Sequence, residues 1–226
     1  LKTIPGVSAS NSNKDAILGA DIVILAVKPQ QFGKLSTEIK EIIQPEQTII
    51  SIMAGVKLHS IGLKLNHRRL IRVMPNTPSQ VLEGISAWTT SHDVPEKIVK
   101  FTGQMLSSLG DEIKFSEEHY IDIATALSAS GPGYVFVFIE SLIDAGVKLG
   151  LPVNEAKKLS IQTVLGSAFL AKKTQRHPAE LKNMVTSPGG TTAAGLKVLE
   201  DGGLRSNILA AVEAAYNRGE ELSKGK

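Results

Sequence analysis

The sequence predicts an α/β domain followed by an all-α region, and three observations lead to this prediction. Apolar, β-branched runs alternate with amphipathic helical segments in the first half, which is typical of a doubly wound, Rossmann-like sheet. After Ser116 no strand-like run of comparable quality occurs. A Ser-Pro-Gly-Gly turn at residues 187–190 then interrupts the helical half. We therefore expect an α/β domain over residues 1–115 and a helical domain over residues 116–226.

Five segments of the first half have the composition of strands. Residues 20–27, which are apolar apart from Asp21, lie between Gly19 and Pro29, and such a run is typical of a strand buried on both faces of a parallel sheet. The other four strands are predicted at residues 47–53, 70–74, 85–90 and 112–115, the last of them at an edge.

Helices are predicted between these strands, because apolar residues recur there at helical spacing. The first two helices carry Phe32, Leu35, Ile39 and Ile42, and then Leu58, Ile61 and Leu65. A third begins after Pro95, with Gly110 as its C-cap and an apolar face formed by Ile98, Phe101, Met105 and Leu109.

The sequence of the second half predicts six helices. Ser116 followed by two glutamates predicts an N-cap with an acidic first turn, and Gly131-Pro132-Gly133 predicts a break. The expected helices are residues 117–129, 132–149, 154–173, 179–185, 192–200 and 206–222. Their apolar residues are too dense for these helices to cover alone, so we expect a subunit interface; the alternative is a compact monomeric bundle. The residues concerned are Val135, Val137, Phe138, Leu142, Val164, Leu165, Ala168 and Phe169.

Composition excludes several classes of protein. Its 226 residues, 42% of them hydrophobic, suffice for a real core. The 25 basic and 22 acidic side chains are evenly spread and only 4% of residues are aromatic, which argues against a nucleic-acid surface. Without cysteine, and with five histidines at no metal-binding spacing, no metal site is expected, and each histidine is expected at the surface or at a helix cap. The apolar run at residues 134–139 is far shorter than the ~20 residues of a membrane helix, so no membrane span is expected.

Three predicted strands end in residues suited to a ligand cleft. In doubly wound sheets ligands bind beyond the carboxyl ends of the strands, where Val27-Lys28-Pro29, Ala54-Gly55 and Asn76-Thr77 fall. The G-x-G-x-x-G fingerprint is not found, and residues 1–6 read as the end of a helix. We therefore expect the first strand–helix–strand unit to precede Leu1, in which case the 226 residues alone bind the cofactor poorly.

The loop at residues 187–190 leads into a predicted helix that opens with Thr191-Thr192. A glycine-rich turn at a helix N-terminus presents unpaired N–H groups and the positive end of the helix dipole, which together form a seat for an anion. A Gly-Gly turn with a threonine N-cap explains the same residues, and the spacing does not decide between the two.

The chain resembles the pyrroline-5-carboxylate reductase family through four motifs in the family's order. The first is Met184 to Gly203, similar to the family's T/S-S-P-G/A-G-x-T loop followed by a helix ending in L-E-x-G. The others are Ala26 to Gln30, Arg72 to Pro78 and Leu127 to Tyr134. Together they cover nearly the whole chain, and the resemblance implies a cytoplasmic oxidoreductase of proline biosynthesis that reduces 1-pyrroline-5-carboxylate to L-proline with NADPH or NADH.

The resemblance also implies roles for individual residues. Asn13 would reach the adenosine side of the cofactor. Val27, Lys28 and Pro29 would line its ribose and nicotinamide, with Ala54, Asn76 and Thr77 beside the nicotinamide ring. The Ser187 hydroxyl and the N–H groups around Gly190, Thr191 and Thr192 would hold the substrate carboxylate, while the Thr192 hydroxyl bonds the ring nitrogen. Residues 116–226 would form a homodimer or a higher homo-oligomer, without metal, nucleic acid or membrane.

Purely structural roles for these residues, and two other functions for the protein, remain open. Lys28 could be a solvated charge, Asn13 a turn residue and Asn76 a loop cap. A hydroxyacid dehydrogenase of the 6-phosphogluconate type would share the α/β-plus-helical plan, but would need a catalytic Lys and Asn pair where apolar residues follow Gly133. A non-catalytic helical assembly fragment is the second alternative.

Overall fold

The computed structural model describes residues 5–224, with the backbone alone at Lys224. Its described strands form one mixed sheet in the order β1-β2-β3-β4-β5. Strands β1, β2 and β3 are parallel, β4 is antiparallel to β3, and β5 is parallel to β4. The strands are β1 (Ile22–Leu25), β2 (Thr48–Ser51), β3 (Leu70–Met74), β4 (Gly84–Thr90) and β5 (Gly110–Lys114). The Rossmann-like α/β class is confirmed, and β5 lies at an edge as predicted.

Apart from α1, which was not predicted, the described helices follow the predicted order, with ends shifted by a few residues. They are α1 (Asn13–Ile17), α2 (Phe32–Ile39), α3 (Leu58–Leu65), α4 (Glu96–Ser107), α5 (His119–Ala124), α6 (Gly131–Lys148), α7 (Val153–Thr174), α8 (Pro178–Met184), α9 (Thr191–Asp201) and α10 (Leu204–Lys224). Short 3-10 turns precede α2 at Pro29–Gln31 and β4 at Thr77–Val81. Of the helix end predicted at residues 1–6, residues 1–4 lie outside the described part of the chain.

Helices cover both faces of the sheet, which makes it doubly wound. On one face α1, α2 and α3 pack on β1, β2 and β3 around Phe32, Ile39 and Ile61, each at most 2% exposed. On the other face α4 packs on β2, β3 and β4 around Trp88 and Leu106. The hydrophobic effect of these two layers fixes the sheet, and with it the positions of the strand ends.

Three local predictions in the α/β part are wrong. Strand β1 is not buried on both faces, because α4 covers β2 to β4 and leaves Ile24 49% exposed. The buried face of α4 is Val99, Thr102 and Leu106, so the predicted stripe is rotated by about one residue. Phe101 of that stripe is exposed. Gly110 is the first residue of β5 and not a C-cap.

The junction after β5 also differs from the prediction. Helix α5 begins at His119 rather than Glu117, and Ser116 does not cap it. The Glu118 carboxylate instead accepts a hydrogen bond from the N–H of Leu58 at the start of α3. A π-helical turn, Thr125–Ala129, follows α5. The chain bends at Ser130, and Gly131 already belongs to the first turn of α6, so the predicted break is only a bend.

The chain divides into two compact units. One contains the described residues up to Pro132 together with those from Glu213 onward, and the other is Gly133–Val212. Residues 116–132 therefore pack with the α/β part, and the division at residue 115 stays a prediction. Within α6 to α9 and the start of α10, only Ala156 and Ser160 are buried in the described chain. The helical unit therefore has almost no core of its own, which contradicts a compact monomeric bundle.

One helical stretch bears on the expectation that the chain has no membrane span. By length and composition, His119–Lys148 is long and apolar enough to cross one. Helices that pack against other helices have the same properties. The stretch lies in the region predicted to form a subunit interface.

Gly110 offers a test of the sheet geometry. Its φ of +135° suits glycine alone, and an added Cβ would overlap the backbone of Gly84 on β4. We expect Gly110→Ala to lower the free energy of unfolding by about 3 kcal/mol or more. Gly103→Ala is the control, because a Cβ there lies 3.6 Å from Trp88 in the interior of α4. The control should stabilise the protein by up to ~1 kcal/mol. Urea denaturation at one protein concentration measures both, and equal effects would contradict the geometry.

Candidate active site

Three neighbouring parallel strands end at the same edge of the sheet. Leu25 at the end of β1 pairs with Ser51 at the end of β2, and Ser51 pairs with Arg72 near the end of β3. Adjacent strands lie about 4.8 Å apart, so three strand ends span roughly 10 Å. The structure thus brings together the predicted strand-end residues, which are Val27, Lys28, Pro29, Ala54, Asn76 and Thr77.

The loops at this edge suit the approach of a flat ligand. Ala54 and Gly55 place no large side chain beyond β2, and Lys28 and Thr77 are exposed. Asn76 is half-buried and holds its loop in place, because its Oδ1 accepts a hydrogen bond of 2.9 Å from the N–H of Ile85. Asn76 is therefore both a loop-fixing residue and part of the edge.

Asn13 lies apart from these loops. It is the first residue of α1, and its Nδ2 donates a hydrogen bond of 3.0 Å to Oε1 of Glu38. Glu38 lies near the end of α2, and α2 begins close to the carboxyl end of β1. The side chain of Asn13 therefore points toward the part of α2 that is remote from the strand ends.

The predicted substrate loop forms a tight turn. The N–H of Gly190 donates a hydrogen bond of 3.0 Å to the carbonyl of Ser187, and Gly189 has a φ of +69°. A Cβ on Gly190 would overlap the Ser187 hydroxyl, so only glycine lets that hydroxyl lie over the turn. This close approach explains why a glycine is needed at residue 190.

The N-cap of α9 is Gly190, and Thr191 and Thr192 are the first two helical residues. Of the two interpretations left open by the sequence, the turn with a threonine N-cap is therefore contradicted. No described side chain caps this helix end, so its first N–H groups are available to an anion. Thr191 is exposed and Thr192 half-buried, and among the described residues neither hydroxyl forms a hydrogen bond.

An exposed ion pair links the two ends of the turn that follows α9. The guanidinium of Arg205 forms two-point hydrogen bonds with Glu200, at 2.8 to 2.9 Å. These hydrogen bonds lower the pKa of the Glu200 carboxyl and raise the pKa of Arg205. Glu200 is the glutamate of the L-E-x-G signature, so part of that signature fixes the turn between α9 and α10.

A buried charge network was missed by sequence reasoning. Arg72 in the middle of β3 is 1% exposed, and its guanidinium lies 3.0 Å from Oε1 of Glu118 and 2.6 Å from Oδ1 of Asp122. An arginine inside a predicted buried strand, and two acids four residues apart on the next helix, were the available signals.

Lys57 extends this network toward α10. Its Nζ lies 3.7 Å from Oδ2 of Asp122 and 3.3 Å from Oε1 of Glu220. Burial lowers the pKa of Lys57, but the hydrogen bond to Glu220 and the negative charges of Asp122 and Glu220 outweigh burial, and the pKa is raised. Lys57 therefore stays charged across the physiological range.

Two grooves lie at the opposite, amino-terminal edge of the parallel strands. The larger encloses about 580 Å³ and includes Lys40, Arg68 and Arg69. Lys40 and Asn66 are the C-caps of α2 and α3, and the negative ends of these helices account for the nearby basic residues. We place the active site at the strand ends despite these grooves, since ligands of doubly wound sheets bind there. His67, which lines both grooves, is 8% exposed, so its predicted place at the surface is wrong.

The described residues contain no group of three acidic or histidine side chains that could hold a metal ion. The candidate site residues lie in the strand-end loops and in the loop before α9. These lie in different compact units, the first in the α/β unit and the second in the helical unit.

Two family models match parts of the chain. Residues 1–55 match the family model "NADP oxidoreductase coenzyme F420-dependent". Residues 118–222 match the model "Pyrroline-5-carboxylate reductase dimerisation". The fold, the strand-end site and these matches define an NAD(P)-dependent oxidoreductase with a Rossmann-like domain.

Relatives of high similarity identify the particular family. The pyrroline-5-carboxylate reductase of Synechocystis sp. is 42% identical over 219 residues, which are 96% of this chain and 81% of that protein. The pea (Pisum sativum) enzyme is 39% identical over 218 residues, with 96% and 80% covered. The crystal structure of Plasmodium falciparum pyrroline carboxylate reductase with NADP bound superposes with a TM-score of 0.88 at 35% identity, covering 96% of this chain and 86% of that one. The chain belongs to the pyrroline-5-carboxylate reductase family.

Proposed function

We infer that this protein reduces 1-pyrroline-5-carboxylate to L-proline, the last step of proline biosynthesis, with NADPH or NADH as the reductant. One observation carries the inference. A chain of this family has three parallel strands that end at the same edge of the sheet, and it has a helix without a described side-chain cap after a Gly-Gly turn. Family membership also favours this reaction over a hydroxyacid dehydrogenase and over a non-catalytic assembly fragment.

The strand-end loops would hold the nicotinamide half of the cofactor. Val27, Lys28 and Pro29 would contact the ribose and the ring, with Ala54 on the neighbouring loop. Asn76 and Thr77 would border the ring from the third loop, and Asn13 is proposed for the adenosine side. When bound, the cofactor supplies a hydride to the imine carbon. The proposal rests on the alignment of the strand ends and on the small residues beyond β2.

The loop before α9 would orient the substrate. The N–H groups of Thr191 and Thr192, the helix dipole and the Ser187 hydroxyl favour a carboxylate. The Gly190 N–H, which was predicted to take part, instead donates to the Ser187 carbonyl and shapes the turn. The unpaired Thr192 hydroxyl is the group proposed to hydrogen-bond the ring nitrogen and stabilise its protonated form. No His, Asp, Glu or Lys lies between Val185 and Leu196. The imine would therefore take its proton from water, and the chain's contribution is to position and desolvate the ring.

Thr192→Val tests this assignment in the complete gene product. Valine has nearly the same shape, so the helix should persist, while a lost hydrogen bond to a group whose charge changes is worth roughly 1.5–3 kcal/mol. We expect kcat/KM for pyrroline-5-carboxylate to fall about 10- to 150-fold. The melting temperature and the NADPH affinity should barely change.

Thr191→Val is the matched control, because Thr191 is proposed to contribute its backbone N–H alone. It should lose much less activity than Thr192→Val. If Thr192→Val reduces the imine at the wild-type rate, or if both variants lose activity equally, the loop is a structural turn and the substrate site lies elsewhere.

We also propose that the protein is a homodimer or a higher homo-oligomer built through the helical region. Exposed apolar residues of α6 and α7 support this, among them Val137 at 62%, Leu165 at 58% and Phe169 at 57%. A unit with almost no buried residues cannot bury this surface alone. Subunit contacts also explain the apolar stretch His119–Lys148 without a membrane. With a soluble substrate and cofactor, a cytoplasmic location follows as part of the proposal.

Light scattering tests the oligomer directly. At micromolar concentration we expect a particle of at least two subunits and little monomer, because dissociation would expose the apolar faces of α6 and α7. Phe169→Glu, at a position 57% exposed in the single chain, should shift the distribution toward smaller species or aggregates. A monodisperse wild-type monomer would rule out the interface.

A further inference from the structure

The charge network around Arg72 lies beside the two loops proposed to flank the nicotinamide. Arg72 pairs in register with Ser51, the last residue of β2, and the Ala54–Gly55 loop follows three residues later. Along its own strand, Arg72 comes four residues before Asn76. Lys57 comes three residues after Ala54. One cation of the network is therefore tied to each loop.

Helix α5 supplies the carboxylates that join these two cations. Asp122 contacts Arg72 through Oδ1 and Lys57 through Oδ2, so one side chain, 8% exposed, bridges both loops. Glu118 contacts Arg72, and the same oxygen accepts the N–H of Leu58, 2.7 Å away, just after Lys57. A shift of either loop would strain or break these contacts.

The end of α10 completes the arrangement from outside. Glu220 bonds Lys57, and Gly55, with a φ of +67°, lies so close to α10 that an added Cβ would be 3.5 Å from Oγ of Ser223. The loop after β2 is thus held against the end of α10 by the Lys57–Glu220 ion pair and by the close approach of Gly55 to the same helix. Leu58 at the start of α3, together with the buried residues of that helix, also holds the loop in place.

We propose that Arg72, Asp122, Glu118, Lys57 and Glu220 act as a clamp that sets the spacing of the Ala54 and Asn76 loops, and so positions the nicotinamide half of the cofactor. This deepens the proposed function and rests on its placement of the nicotinamide. None of the five is a catalytic residue; they are positioning residues. If the clamp is weakened, the loops populate other arrangements, and the apparent affinity falls in proportion to the competent fraction.

The experiment targets the outer pair, because removing Arg72 or Asp122 leaves a buried charge unpaired and endangers folding. Lys57→Met and Glu220→Gln are compared in the complete gene product with Lys57→Arg, which keeps the cation. Lys97→Met makes the same change at an exposed residue of α4 away from the clamp. Dissociation constants are measured by fluorescence for NADPH and by competition for 2′,5′-ADP, which contains the adenosine half of NADPH alone.

We expect Lys57→Met and Glu220→Gln each to weaken NADPH binding by about three- to fivefold, the upper part of the range for a partly exposed ion pair. The double variant should lose little more, because both changes break one contact. Binding of 2′,5′-ADP should stay within about twofold, Lys57→Arg should restore most of the NADPH affinity, and Lys97→Met should match the wild type. A purely structural role would weaken both ligands alike.

Two results would overturn the clamp. One is NADPH affinity in Lys57→Met and Glu220→Gln equal to that of Lys97→Met, and the other is a parallel loss for NADPH and 2′,5′-ADP. Both are binding measurements. Failure of the wild type to oxidise NADPH with pyrroline-5-carboxylate would instead contradict the proposed function, so the two failures are distinguishable.

Discussion

The burial of Arg72 in the third strand constrains the whole α/β unit. A guanidinium that is 1% exposed needs paired carboxylates, since an unpaired buried charge costs about 3–5 kcal/mol. Glu118 and Asp122 meet this requirement only if α5 packs against β3. The same requirement sets the point at which the chain leaves the sheet for the helical region. Apolar packing determines that a sheet forms, and this charge fixes where the next helix lies on it.

The two units suit different roles because their side chains are packed to different extents. The α/β unit has two packed layers, so it can hold strand-end loops rigidly around a flat cofactor. The helical unit has almost no core and gains stability from a partner, which suits a dimerisation region. In the turn before α9, no described side chain caps the first N–H groups, and neither threonine hydroxyl has a partner among the described residues. In the proposed assignment, the cofactor residues belong to the α/β unit and the substrate loop belongs to the helical unit.

Much of the fold could be predicted from the sequence, because continuous apolar runs and helical periodicity report burial directly. The sequence could not show which face of β1 stays open, since that depends on where α4 lies. The sequence left open whether a threonine caps α9, and the structure decides this locally: Gly190 adopts the extended cap conformation, so neither threonine is the cap. Motif resemblance located the strand-end residues and the Gly-Gly loop. The partners of Arg72, in contrast, come from α5 and require tertiary structure.

In the proposed reaction, the chain positions the imine carbon of pyrroline-5-carboxylate to receive a hydride. The most direct measurement uses NADPH with deuterium at the transferable C4 position, the complete gene product and pyrroline-5-carboxylate, with the product examined by NMR. We expect L-proline that carries one deuterium at C5, the former imine carbon, on a single face of the ring. Proline without deuterium, deuterium divided between both faces, or no cofactor oxidation at all would contradict it.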